Sequence, residues 1–171
     1  MKKRIIIVGK GGSGKDHMRK MLQDEGFRYC ISHTTRPPRD GENNGVDYYF
    51  VSLDGAIHDY ILKERFYEFV IFNEWLYGTS KDEFDRSNLF IMTPSGIQKL
   101  NEKDRSESHI VYLDIDEPIR KHRLSMRRDA DDVERRLKAD EADFKDFENF
   151  DERITDPFFK DPSSLINKID L

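Results

Sequence analysis

Arg4-Ile5-Ile6-Ile7-Val8-Gly9-Lys10-Gly11-Gly12-Ser13-Gly14-Lys15-Asp16 is the stretch that decides the fold. Residues 4–8 form a short apolar, β-branched run ending on glycine, the pattern of a strand buried on both faces. Beyond Lys15, Met18, Met21 and Leu22 recur at helical spacing and Gly26 stands where a helix stop belongs, which predicts a helix over 15–25. Four of the chain's ten glycines fall within 9–14. Between a strand and a helix, G-x-x-x-x-G-K is the frame of a phosphate-binding loop. Glycines let successive N–H groups face one concavity, and the helix adds the positive end of its dipole. Lys15 then reaches the β- and γ-phosphates of a nucleotide. Gly9, Gly11, Gly12, Ser13, Gly14, Lys15 and Asp16 are thus candidate ATP-binding residues. Asp16 stands where Ser or Thr would offer a hydroxyl to Mg2+; a carboxylate can also hold Mg2+, but opposes nearby phosphates unless the metal is there.

Residues 29–32 read as a second short strand and 34–45, rich in Pro, Gly and Asn, as a loop. Further strands are predicted at 66–72, 88–92 and 109–115, the last two each followed by a helical stretch. Val133, Leu137, Phe144 and Phe147 lie on one face of a long acidic helix. Strands alternating with helices indicate an α/β fold with a mostly parallel sheet. Trp75 falls in an Asn-Glu-Trp-Leu stretch, a hairpin turn or a packing site.

The chain has 171 residues, 36% hydrophobic and 37% charged, with 12 Phe, 7 Tyr and one Trp. That suffices for one domain with a core and argues against wholesale disorder. No apolar run approaches the roughly 18 residues of a membrane helix. One cysteine, Cys30, excludes an intramolecular disulfide and fits a reducing compartment, so a cytoplasmic location is expected. His17, His33, His58, His109 and His122 show no metal-ligand spacing. The net charge of −5 hides a split: residues 1–39 carry ten Lys/Arg against three acids, and 129–156 carry twelve acids against five bases. A local basic cluster in an acidic chain suggests a small polyanion rather than nucleic acid.

The second cluster is Ser32-His33-Thr34-Thr35-Arg36-Pro37-Pro38-Arg39-Asp40-Gly41-Glu42-Asn43-Asn44-Gly45-Val46-Asp47-Tyr48-Tyr49-Phe50. It resembles the S-x-T-T-R-x-P-R-x-G-E-x-N-G-x-D-Y-x-F block of the guanylate kinase family of nucleoside monophosphate kinases. Phe66-Tyr67-Glu68 and Tyr77-Gly78-Thr79 resemble that family's F-x-E and Y-G-[ST] segments. Arg123-Leu124, Arg127 and Arg136-Leu137 resemble its C-terminal arginine pattern. The resemblance runs over roughly residues 4–155.

It implies a single domain, 1–171, with a parallel core (1–33 and 88–171), a monophosphate-binding lobe near 34–80 and a lid near 124–136. It also implies ATP with Mg2+ as donor and GMP or dGMP as acceptor, in a monomer or homodimer. Arg36 and Arg39 would bind the acceptor phosphate bidentately, with Tyr48 and Tyr77 donating to it. Glu68 offers two acceptors to the adjacent N1–H and N2–H of guanine, and Ser32 and Thr79 can donate to O6 and N7. Lys15, Arg36, Arg39, Arg123, Arg127 and Arg136 would neutralise charge during transfer, and lobe closure would exclude water. On the residues alone, Arg36 and Arg39 could instead be surface ion pairs, and Glu68 a buried partner of an arginine.

The family's acidic segment L-D-I-D is matched by Leu113-Asp114-Ile115-Asp116 in composition only. Spacing places residues 90–96, which hold no acid, in that register. A kinase of wider base range, a ribose 1,5-bisphosphate kinase (which shares S-G-K-D and T-R-P) and a non-catalytic protein-binding module remain as alternatives.

Overall fold

A computed structural model describes residues 2–126 and 132–169. In chain order it runs β1 (Arg4–Gly9), α1 (Lys15–Asp24), β2 (His33–Thr34), β3 (Tyr49–Phe50) and α2 (Leu53–Gly55), which continues into a π-helical turn at Ala56–Ile61. Then come β4 (Phe66–Phe72), β5 (Trp75–Ser80), α3 (Lys81–Arg86), β6 (Leu89–Ile91), α4 (Pro94–Ile97) and α5 (Glu102–Ser106). The chain ends with β7 (Ser108–Leu113), α6 (Glu117–Ser125), α7 (Val133–Phe144), β8 (Glu152–Ile154) and α8 (Ser163–Ile166). Two compact units result, one of Cys30–Ser87 and one of the remainder.

The larger unit is built on a sheet in the order β6-β1-β7-β8, parallel throughout. Ile5, Ile6 and Ile7 have no exposed surface, which is why β1 reads as a continuous apolar run and not as an alternation. The helix after β1 ends as its glycine predicts. Gly26 has φ +93°, its N–H bonds Gln23 O and the Phe27 N–H bonds Leu22 O, a two-bond C-terminal cap with buried Phe27 as its apolar contact. The strand expected over 29–32 does not form. Tyr29 makes one bridge to Leu89, while the Arg28 carbonyl is taken by the Asn88 and Leu89 N–H groups; the chain then passes into the second unit. The acidic helix stops at Phe144, so Phe147 lies beyond it. Phe144, Phe147 and Phe150 gather on the Tyr112 ring at 5.4–5.5 Å and fix the path from α7 to β8.

The smaller unit holds a mixed sheet ordered β3-β2-β5-β4. Its hairpin turns at Asn73 and Glu74, both with positive φ, as a two-residue turn between right-twisted strands requires. Trp75 therefore begins β5, opposite Phe72. A bulge at Tyr67 breaks the β4–β5 register: Phe66 pairs with Ser80, but Glu68 pairs with Thr79. The extra residue puts Phe66 on the face of Phe69, Leu76 and Gly78, where it joins Ala56, Tyr60 and Ile61 in an apolar cluster. A Cβ on Gly78 would lie 2.8 Å from the Phe66 ring, so glycine is what lets the ring lie flat on the strand.

His33 sits among rings of this unit, 4.3 Å from Tyr60, 4.8 Å from Tyr49 and 5.6 Å from Phe66, and its Nδ1 is buried with no hydrogen-bond partner among the described residues. Burial first, and the Arg65 charge second, push its pKa down to about 4. Below its ordinary value the unfolded chain binds a proton that the folded chain refuses, so stability is complete above about pH 6.5 and is lost as pH falls toward 4. Replacing His33 by Phe should flatten urea-unfolding free energies between pH 7 and 4.5 by up to about 3 kcal/mol relative to wild type. Equal pH slopes in the two proteins would rule out a neutral buried His33.

Candidate active site

In the larger unit the loop between β1 and α1 is held from several sides. Gly12 and Gly14 both have positive φ, and a Cβ on Gly12 would lie 2.6 Å from the Arg120 carbonyl oxygen. Lys15 Nζ donates to Gly9 O at 2.6 Å and to Lys10 O at 3.1 Å, so its charge rests on the loop's own carbonyls. Arg123 spans from Gly12 O (3.1 Å) to Pro157 O (2.5 Å). The Ser13 hydroxyl is buried and has no partner among the described residues. Asp16, in the first turn of α1, is 70% exposed at its side chain and 3.5 Å from Arg19 Nε. Arg136 is buried on α7. Arg127 and residues 127–131 of the expected lid lie outside the described residues.

Beside the loop opens a cleft of roughly 520 Å3, lined by Gly12, Gly14, Asp16, His17 and Arg123 together with residues 157–160. Phe158 is 69% exposed there, an aromatic surface next to a phosphate-loop helix. Among the described residues no three His, Cys, Asp or Glu gather to hold a metal ion. One exposed carboxylate in a cleft is nonetheless a fitting partner for Mg2+, which keeps most of its water and takes one or two carboxylates plus substrate phosphates.

In the smaller unit Arg36 is buried. Its Nη2 donates to Glu42 Oε1 at 2.9 Å and its Nη1 to Pro37 O at 2.7 Å, with Tyr48 and Phe50 rings beneath the guanidinium at 5.4 and 5.8 Å. Burial opposes the Arg36 charge, but the hydrogen bond to Glu42 and the charge of its carboxylate outweigh it, and its pKa lies above the ordinary value. Burial likewise pushes the Glu42 pKa up, and the bonds from Arg36 and the Arg39 N–H reverse that to a net lowering. Glu42 Oε2 accepts the Arg39 N–H at 2.7 Å, and Arg39 Nη1 lies 3.9 Å from Oε1, so one carboxylate organises both arginines. Tyr48 and Tyr77 meet edge to face at 6.1 Å.

The bulge at Tyr67 turns Glu68 to the face of its cross-strand partner Thr79 and of Tyr77, two residues along β5. Glu68 and Thr79 are both buried. The Cys30 thiol is pushed up to about 12 by burial and by the Glu68 charge, which makes it inert and places it near that carboxylate. Ser32, just before β2, accepts the Tyr49 N–H through its carbonyl at 2.9 Å. Within this unit the structure thus gathers Arg36, Arg39, Tyr48 and Tyr77, and aligns Glu68 with Thr79.

Glu42, Arg120, Asp140 and Asp143 have site contacts that the sequence motifs did not assign. Glu42 stands inside the second cluster, three residues from Arg39, and that spacing was the available signal. Asp140 accepts the Gly11 N–H, and Asp143 accepts from Ser95 in the acid-free segment at 90–96. Asp114 is engaged by Arg153, and Asp116 stands at the start of α6 without a side-chain cap bond.

A parallel α/β sheet whose first strand runs through a glycine-rich loop into a helix defines a nucleotide-binding P-loop protein. The family model described as guanylate kinase matches residues 1–163. Over 152 residues the chain is 31% identical to the guanylate kinase of Homo sapiens, covering 82% of this chain and 77% of that protein. It is 30% identical to that of Mycoplasma genitalium, covering 91% of this chain and 69% of the relative. With the guanylate kinase of Schizosaccharomyces pombe the match is 37% over 81 residues, 40% of that protein. The crystal structure of guanylate kinase from Anaplasma phagocytophilum has the same fold, with a TM-score of 0.71, 20% identity and 98% of this chain covered. The chain belongs to the guanylate kinase family, and so to the phosphotransferases. No helix among the described residues is long and apolar enough to cross a membrane.

The Glu42 carboxylate offsets the cost of burying Arg36. Glu42→Ala should lower the unfolding free energy by about 1.5–3 kcal/mol, as for a lost charge-assisted bond, and Glu42→Gln by less. Urea denaturation at neutral pH measures both. Values within about 0.5 kcal/mol of wild type would show that Arg36 does not depend on this partner.

Proposed function

We propose that the chain transfers the γ-phosphoryl group of ATP to GMP or dGMP, giving ADP and the corresponding diphosphate. The observation that carries this reading is the bulged β4–β5 ladder, which sets the buried Glu68 on one face with Thr79 and Tyr77. A carboxylate held there, with the Arg36–Arg39 pair in the same unit, suits a guanine base that carries a phosphate.

Gly9, Gly11, Gly12, Ser13, Gly14, Lys15 and Asp16 seat the ATP phosphates, and the exposed Phe158 ring and His17 offer the cleft to its base. Asp16 is the residue that would hold Mg2+, which would supply positive charge to offset that of the phosphates. Arg36, Arg39, Tyr48 and Tyr77 hold the acceptor phosphate; Ser32, Glu68 and Thr79 read the base. A phosphate oxygen of GMP attacks the γ-phosphorus, the bond to the β–γ bridging oxygen breaks, and ADP leaves. Lys15 exchanges its two loop carbonyls for phosphate oxygens, and Arg123, Arg127 and Arg136 offset the negative charge on the equatorial oxygens. The protein works as a monomer or homodimer in the cytoplasm, where the single buried thiol of Cys30 stays reduced.

Lys15→Ala should reduce turnover by about a hundredfold or more at unchanged melting temperature. A coupled assay with ATP and Mg2+ reads this directly, and turnover within threefold of wild type would sink the role given to Lys15.

Glu68→Gln leaves one acceptor where guanine needs two, so it should lower kcat/KM for GMP and dGMP by about tenfold or more while sparing any activity on AMP, dTMP or dCMP. A panel of monophosphates tests it. Better use of dTMP or dCMP than of dGMP by the wild type, with no response to the Glu68 change, would remove guanine from the proposal.

A further inference from the structure

Asp140 belongs to none of the motifs above, yet its Oδ2 accepts the Gly11 N–H at 2.7 Å, from the middle of α7 to the middle of the phosphate loop. The Asp140 side chain is 9% exposed, and that of Arg120, which faces it, is 3% exposed. Arg120 Nη1 lies 3.9 Å from the same Oδ2 and 3.4 Å from Gly11 O, while its Nε donates to Ile115 O at 2.8 Å. Both backbone polar groups of Gly11 are therefore held, the N–H by an anion and the carbonyl by a cation. The next carbonyl, that of Gly12, is held by Arg123.

A buried carboxylate is costly unless its hydrogen bonds are made, and an apolar side chain would fill an inward position on α7 more cheaply. The Gly11 N–H is what the Asp140 carboxylate gains. The approach also depends on the residue it meets, because a Cβ on Gly11 would lie 3.0 Å from Asp140 Oδ2. An anion so near a phosphate seat would repel a nucleotide, and the Arg120 guanidinium beside it cancels that charge while leaving the hydrogen bond in place.

We infer that Asp140 is a positioning residue: it fixes the Gly11 peptide before a nucleotide arrives, and so sets the affinity for ATP and ADP. The inference rests on the reading of Gly9–Asp16 as the ATP seat. A loop of glycines samples many backbone states, and its apparent affinity falls by the fraction of time it spends outside the binding-competent one. Arg136, one turn before Asp140, is buried on the same helix, so the helix that offers an arginine to the phosphates also holds the loop.

The test uses the full chain, with Asp140→Ala and Asp140→Asn compared by calorimetric titration with ADP, by KM for GMP, and by the Gly11 amide resonance in 15N spectra. Asp140→Ala should weaken ADP binding about tenfold or more, leave KM for GMP within twofold, and move the Gly11 amide proton upfield. Asp140→Asn keeps only a neutral acceptor and should weaken ADP binding by a smaller factor, about threefold, with a smaller upfield shift of the Gly11 amide proton. ADP affinity within twofold of wild type in the Ala variant would overturn the inference. So would equal losses in both variants that track melting temperature while the Gly11 resonance stays put. If Asp140→Ala does not fold, Asp140→Asn decides alone: a displaced Gly11 resonance with weaker ADP binding supports the inference, and wild-type values for both overturn it. The ADP measurement needs no transfer to GMP, so failure of the acceptor assignment leaves it standing, whereas a wild type that binds no ADP would refute the ATP seat itself.

Discussion

At Gly12 the phosphate loop lies directly on the backbone of α6, with no room for a Cβ between them: the Arg120 carbonyl oxygen would be 2.6 Å away and its Cα 3.1 Å. This contact sets the larger unit's working geometry. It fixes where α6 runs relative to the end of β1, and so lets Arg120 and Arg123 reach the Gly11 and Gly12 carbonyls. Holding those carbonyls fixes the planes of the peptides that follow Gly11 and Gly12, the backbone from which an anion site is built. A side chain at position 12 would meet strain twice, from a left-handed φ and from the collision with α6.

Both units keep their cations on their own oxygens. Lys15 rests on two carbonyls of the loop it serves, and Arg36 rests on Glu42 and Pro37 O. Such pairing solves a problem common to anion sites. A buried or half-buried cation without a partner would shed its charge or pull the chain out of shape, while a cation locked to a strong partner could not release it to a phosphate. Carbonyl oxygens are weaker partners than carboxylates. The carbonyl bonds of Lys15 are of a kind that phosphate oxygens can replace, whereas Arg36, tied to Glu42, is held in position. The Arg36 Nε is buried and has no hydrogen-bond partner among the described residues.

What could be read from the sequence followed from local pattern. β1, the loop and α1 were legible because a buried parallel strand, a glycine cluster and a 3.6-residue period each leave a signature within a dozen residues. β6 and β7 were legible for the same reason, and the antiparallel edge strand β4 as an apolar, aromatic run. The two-residue strands β2 and β3 and the three-residue β8 are too short to show alternation, and β5 hid behind the Asn73-Glu74 turn. The strand expected at 29–32 failed because its composition was right but its partners were not: beyond Tyr29 the chain leaves the first sheet. Among site residues, Lys15, Arg36 and Glu68 were visible as types in motifs. Asp140 was not, because a side-chain bond to a backbone N–H 129 residues away leaves no spacing to detect.

The bulge at Tyr67 shows how little sequence separates a core strand from a recognition strand. In an unbroken β4, Phe66 and Glu68 would point to the same side, and the unit would have to choose between burying the ring and presenting the carboxylate. One unpaired residue lets both happen, with Phe66 packed against Gly78 and Leu76 and Glu68 set beside Thr79. The aromatic cluster then becomes the support of the carboxylate on the opposite face. Tyr60 stacks on Phe66 at 4.9 Å, Phe66 lies 5.9 Å from Phe69, and this packing holds β4 against β5 where the register shifts. Gly78 closes the argument, since any larger residue there would push the Phe66 ring away and remove the support that keeps the bulge, and with it the Glu68 carboxylate, in place.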